Sequence, residues 1–135
     1  MQNTVQVKHD IYWVGGNDRR VNRFENLFPL THGMSYNSYV ILDEKTVLTD
    51  TVDRSISVLF MENVEAALDG RKLDYLVIHH MEPDHCANIA AIVQAYPDVQ
   101  LVGNRNTYKF LTQFYPAYAF DNFITVKEGE ELNIG

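Results

Sequence analysis

Apolar positions fall into short runs separated by turn residues, and the spacing within the runs changes along the chain. Residues Ile11 to Val14 read as a strand, which Gly15-Gly16-Asn17-Asp18 brings to a turn. Arg19 to Ser35 shows no clean period and contains Pro29 and Gly33, which predicts a long ordered loop. Asn37 to Leu42 and Lys45 to Thr51 are two strand-like runs around Asp43-Glu44, the pattern of a hairpin. From Ser55 the period becomes helical, with Ile56, Leu59, Phe60, Val64, Ala67 and Leu68 on one stripe. Asp53 or Ser55 caps that helix and Gly70 stops it.

Leu73 to Ile78 is a continuous apolar run, the signature of a buried strand. A second helix is expected from about Cys86 to Tyr96, facing the core through Ile89, Ile92, Val93 and Tyr96 and closed by Pro97. Val99 to Gly103 reads as a strand and Thr107 to Tyr115 as a helix. Phe123 to Val126 and Leu132 to Ile134 flank Glu128-Gly129-Glu130-Glu131, which predicts a closing hairpin. The order β, ββ, α, β, α, β, α, ββ is that of an α/β chain with some parallel pairing. The last strand coincides with the end of the sequence, where a domain boundary is not expected, so the chain reads as a piece of something longer.

Composition narrows the partners. The 135 residues carry 11 basic and 18 acidic side chains, a net charge of −7, which argues against a partner bound through nucleic-acid phosphates. The single cysteine, Cys86, excludes an internal disulfide framework and suits a reducing cytoplasm. The start has no apolar h-region and no run approaches a membrane span, so no membrane association is expected. Arg19, Arg20 and Arg23 read as a solvated loop cluster, and Phe110, Phe114, Tyr115, Tyr118 and Phe120 as packing aromatics.

The segment that carries chemistry is Leu76-Val77-Ile78-His79-His80-Met81-Glu82-Pro83-Asp84-His85. Four potential metal ligands, His80, Glu82, Asp84 and His85, follow a buried strand and precede a helix. Ligands at the carboxyl end of a strand can converge while the sheet holds their backbone. In an extended segment residues two apart share a face, so His80, Glu82 and Asp84 can point together. His85 breaks the alternation and can reach a second metal. The pattern H-x-E-x-D-H arises by chance in about one chain in several thousand of this length. Imidazoles and carboxylates without a thiolate suit iron or manganese as well as zinc. Cys86 reads as a small buried helix residue. His79 alternates away from His80 and reads as a residue behind the ligands, not a ligand itself. Asp50, at a strand end, can orient a ligand histidine from behind. His32 lies in the irregular loop that could fold over the site, and His9 in a solvated segment.

These residues resemble the flavodiiron proteins. Besides the motif at 80 to 85, Ile11-Tyr12-Trp13-Val14-Gly15, Asn17-Asp18-Arg19-Arg20, Phe24-Glu25, Gly33-x-Ser35-Tyr36-Asn37-Ser38-Tyr39, Thr49-Asp50-Thr51-Val52 and the closing Glu-Gly-Glu segment match that family in order. Hydrolases of the same fold have histidine where this chain has Glu82. The resemblance implies the N-terminal half of a metallo-β-lactamase-like αβ/βα sandwich, so that residues 1–135 form a partial di-iron domain. It implies reduction of oxygen to water or of nitric oxide to nitrous oxide at a non-haem di-iron site. His80 and Glu82 would hold one iron and Asp84 the other, with His85 ligating in some members only, and Glu82 would lie nearest the flavin. FMN would sit on a flavodoxin-like domain of a neighbouring subunit in a head-to-tail homodimer or tetramer, fed by a rubredoxin-like donor.

Two departures stand out: His79 replaces an asparagine usual before the first ligand, and Cys86-Ala87 replaces small residues after the last. The family's later ligands, a histidine, a bridging aspartate and another histidine, have no counterpart before Gly135. The chain alone is therefore expected to lack the complete iron pair, FMN and turnover. A di-zinc hydrolase of the same fold and a non-catalytic metal-binding fragment are the other readings, and Glu82 argues against the first.

Overall fold

In the computed structural model, residues 3–118 and 120–135 are described. Met1 and Gln2, at the start read as lacking a leader, and Ala119 lie outside the described residues.

A seven-stranded sheet organises the chain. Strands β1 (Val5–Lys8) and β2 (Ile11–Trp13) pair antiparallel at one edge. Four short strands follow in sequence: β3 (Gly16–Asp18), β4 (Arg23–Phe24), β5 (Phe28–Pro29) and β6 (Met34–Tyr36) form two small antiparallel ribbons, β3 with β6 and β4 with β5. Strand β7 (Tyr39–Leu42) lies between β2 and β8 (Thr46–Thr49), with which it forms the expected hairpin. A turn of 3₁₀ helix at Arg54–Ile56 leads into α1 (Ser57–Leu68). Strand β9 (Tyr75–Val77) then runs parallel to β8. Helices α2 (Pro83–Cys86) and α3 (Ile89–Ala95) precede β10 (Gln100–Gly103), and α4 (Arg105–Phe114) precedes β11 (Phe123–Thr125). Strands β8 to β11 are parallel neighbours, joined by helical crossovers as an α/β order requires.

Cross-strand partners share a face of the sheet. Val40, Leu48, Leu76 and Leu101 are buried on one face, in a cluster with Phe60, Val64 and Leu68 of α1, Ile89 and Ile92 of α3, and Leu111 of α4. That face is the core. The opposite face carries Ile41, Tyr75, Val77 and Ile124 half-buried, beside the buried Val47 and Val102.

Several segments differ from the sequence reading. Residues 16–18 and 23–36 hold the small ribbons in place of a turn and loop, because their pairs are two or three residues long and leave no period. Strand β1 is an exposed edge with no core side, so burial wrote no pattern there. The helix expected from Cys86 to Tyr96 is broken at Asn88, whose buried amide donates to the Val52 carbonyl at 2.7 Å. The closing hairpin is absent: the Lys127–Glu130 turn forms, but Ile134 instead accepts a hydrogen bond from the Lys45 amide at 2.8 Å. Helix α4 begins two residues early because the Asn104 side chain caps it, accepting from the Thr107 amide.

Candidate metal centre

The site forms at the carboxyl ends of the parallel neighbours β8 and β9, where an α/β sheet opens its crevice. Beyond β9 the chain passes through His79, His80, Met81 and Glu82, and α2 starts with Pro83 at its first position, a place where its missing N–H costs nothing. The amides of His85 and Cys86 both donate to the Glu82 carbonyl at 2.9 Å, which fixes the tight turn carrying the ligand candidates. This turn is tied to the end of β8. Thr51 donates both its amide and its hydroxyl to the His85 carbonyl at 2.8 Å, and the Asn88 amide donates to Thr51 Oγ1 at 3.2 Å.

Asp50 sits behind the motif, nearly buried, with a left-handed backbone at φ 55°. Its Oδ1 accepts from the His79 amide at 2.7 Å and its Oδ2 lies 3.1 Å from His79 Nδ1 and 3.3 Å from His85 Nδ1. Burial disfavours the Asp50 charge, but the hydrogen bonds from His79 outweigh it and hold the carboxyl below its usual range. The same hydrogen bond raises His79 above the ordinary imidazole value. His79 thus faces Asp50.

In front, His80 Nε2 lies 3.1 Å from Glu82 Oε1, His85 Nε2 lies 3.4 Å from Asp84 Oδ2, and the rings of His80 and His85 meet edge to face with centroids 5.5 Å apart. All four motif residues are therefore gathered. A fifth joins them that the sequence reading did not single out as a site residue. Glu25, at the tip of the β4–β5 ribbon, offers a carboxylate oxygen that lies, with one each from Glu82 and Asp84, within 4.8 Å of the other two. Desolvation, then the charges of Glu82 and Asp84, raise the Glu25 carboxyl above its usual value. Phe24-Glu25 is visible in the sequence as a family-like segment, but no spacing links it to residues 80–85. His32 is exposed and, among the described residues, makes no hydrogen bond or ion pair.

The donor set suits a hard or borderline cation. Two buried atoms, Asp84 Oδ1 and His85 Nδ1, have no hydrogen-bond partner among the described residues. His85 Nδ1 is near Asp50 but is not aligned with it. Buried polar atoms are nearly always paired, so a carboxylate oxygen left bare beside other donors is what a bound metal would satisfy. Cys86 is no part of this set: buried, its thiol hydrogen-bonded to the Met81 carbonyl, it is pushed by burial up to about 11.

A cleft of about 370 Å³ runs beside His79, His80 and Glu82 towards α4. Phe110 and Phe114 line it, exposed and packed on one another at the surface. Phe120 is buried, and Tyr115 and Tyr118 pack against the core as expected. Arg20 pairs with the buried Asp18 at 3.1 Å.

A sequence model of the family described as "ODP family beta lactamase" matches residues 34–135. Over 135 aligned residues the chain is 38% identical to an anaerobic nitric oxide reductase flavorubredoxin of Aliivibrio fischeri, a match covering 98% of this chain and 27% of that protein. Rubredoxin oxygen:oxidoreductase from Desulfovibrio gigas has the same architecture, with a TM-score of 0.91 at 28% identity, over 98% of this chain and 33% of the other. The flavodiiron protein from Giardia intestinalis gives a TM-score of 0.87 at 25% identity, over 100% of this chain and 32% of the other. The chain spans about a quarter of the length of the curated relatives it matches. The architecture is metallo-β-lactamase-like.

Proposed function

The chain belongs to the ODP beta-lactamase family, and on that premise we propose that it is the N-terminal part of a flavodiiron oxidoreductase, reducing oxygen to water or nitric oxide to nitrous oxide. One observation carries the reading. A thiolate-free set of imidazoles and carboxylates, with Glu82 at its centre and a bare buried oxygen on Asp84, is held at the carboxyl end of β9. His80 and Glu82 hold one iron, Asp84 contacts the second, and His85 stands ready beside Asp84. Asp50 holds His79 from behind and lies close to His85. Iron bound there supplies electrons to oxygen or nitric oxide.

Residues 1–135 are read as a partial domain. The half-buried apolar face around Ile41, Tyr75, Val77 and Ile124 is a surface that a second sheet would cover in a sandwich. The later iron ligands and a flavodoxin-like domain with FMN belong to further chain, in a cytoplasmic head-to-tail dimer or tetramer that takes electrons from a rubredoxin-like donor. Among the described residues no helix is long and apolar enough to cross a membrane. The di-zinc hydrolase reading finds no support in a ligand set centred on a glutamate.

The test is anaerobic nitric oxide or oxygen consumption with reduced rubredoxin. The longer protein carrying this chain turns over. Its Glu82→Gln variant loses more than the roughly 10–100-fold typical of an outer-shell partner, and the 135-residue chain alone is inert. Ester or lactam hydrolysis without consumption of either gas would overturn the proposal.

A further inference from the structure

We propose that Thr51 and Tyr115 are positioning residues for the metal motif: their hydroxyls clamp α2 by its terminal carbonyls from two sides and so hold Asp84 and His85 in place. This rests on the reading that the motif binds metal.

Helix α2 is four residues long, Pro83–Cys86. A single helical turn is not stable by itself, and the last carbonyls of any helix find no amide within it. The break at Asn88 removes the following turn that would have served them. Two side chains from distant elements take that place. Thr51 lies two residues past the end of β8, and its hydroxyl donates to the His85 carbonyl at 2.8 Å, beside the bond from its own amide to the same oxygen. Tyr115 directly follows α4, and its hydroxyl donates to the Cys86 carbonyl at 3.0 Å. A hydroxyl can accept as well as donate, and Thr51 does both: Oγ1 also takes the Asn88 amide at 3.2 Å. Thr51 is completely buried, so water cannot replace these bonds.

The clamp bears on the two ligand candidates that α2 carries. Asp84 Oδ1 and His85 Nδ1 have no hydrogen-bond partner among the described residues. The place of these side chains is therefore set by the main chain beneath them, which the two hydroxyls hold. With its carbonyl fixed, His85 keeps its ring between Asp50 and Asp84, Nδ1 3.3 Å from Asp50 Oδ2 and Nε2 3.4 Å from Asp84 Oδ2.

The experiment is an anaerobic titration of the 135-residue chain with Co(II) alone, read from its visible d–d absorption, whose energy and intensity follow the coordination geometry. Wild type, Thr51→Val, Thr51→Ser, Tyr115→Phe and Glu82→Gln are compared, with the Tm of each metal-free chain. Thr51→Val and Tyr115→Phe remove a hydroxyl at nearly constant shape, and Tyr115 is only half-buried, so its variant folds even where Thr51→Val does not. The proposal expects Co(II) affinity to fall about ten-fold in Thr51→Val and Tyr115→Phe, the low end of the roughly 10–100-fold for an outer-shell partner. The d–d bands shift in both, and Thr51→Ser restores affinity and bands. A merely structural role lowers Tm and leaves the bands of the loaded chain unchanged, which would overturn the proposal. So would wild-type binding by both hydroxyl variants while Glu82→Gln is weakened, a result that leaves the motif reading intact. Wild type taking up no Co(II), or all variants binding equally, would sink the motif reading and this inference together.

Discussion

Asp50 combines a backbone conformation that most residues avoid with a carboxylate that nearly everything behind the site leans on. Its oxygens receive the His79 amide and face the rings of His79 and His85. Asparagine tolerates φ 55° and keeps an acceptor for the His79 amide, whereas alanine keeps neither advantage. In urea unfolding Asp50→Asn is expected to lose about 1–2 kcal/mol and Asp50→Ala more, near the upper end of the roughly 1–3 kcal/mol for a buried group left unpaired. Equal losses would show that the carboxylate's acceptor role at this position is unimportant. The motif from His80 to His85 and the place of Asp50 behind it could be read from the sequence, because strand alternation and local spacing carry them. Glu25 could not, because only the folded ribbon brings it across to the acids. His32, expected near the site, is on an exposed loop whose course no periodicity recorded.

Between elements, the parallel join of β8 to β9 sets the geometry that the site inherits. Asp74, at the start of β9, accepts from the Thr46 amide at 2.9 Å and pairs with Lys72 at 3.1 Å. Burial opposes its charge, but the Thr46 and Lys72 contacts prevail and hold its carboxyl below the usual carboxylate range. A carboxyl depressed in the folded state stabilises above its unfolded pKa, and that stability goes as pH falls through the folded value. Asp74→Asn is therefore expected to cost about 1–2 kcal/mol at pH 7, with the gap to wild type closing as pH falls through the lowered folded-state pKa. A gap that is constant from pH 7 to pH 2 would contradict this. The longer elements were readable for the reason this join is strong. The β7–β8 hairpin, α1 and the buried strands β9 and β10 each present a face to one core. The short ribbons are only two or three residues a side, β1 is an exposed edge, and the Asn88 break is made by a side-chain hydrogen bond to distant Val52, so none of them leaves a period.

For the molecule as a whole, the motif stands at the end of a sheet with its core on one face and several half-buried apolar positions on the other. The charge of −7 and the acidic front of the site suit a cation rather than an anionic ligand. The α/β class and the location of the site were legible because hydrophobic runs and the motif adjoin. Which face of the sheet stays half-buried was not, since a half-buried strand and a fully buried one share the same apolar run. The central claim is that these residues are part of an iron site completed by further chain. The most direct measurement is the iron content of the 135-residue chain and its Glu82→Gln variant after anaerobic reconstitution, followed by Mössbauer spectroscopy. The account predicts iron below two per wild-type chain, without the signature of a coupled pair, and a marked loss in the variant. A coupled pair in the isolated chain, or iron uptake indifferent to Glu82, would contradict it.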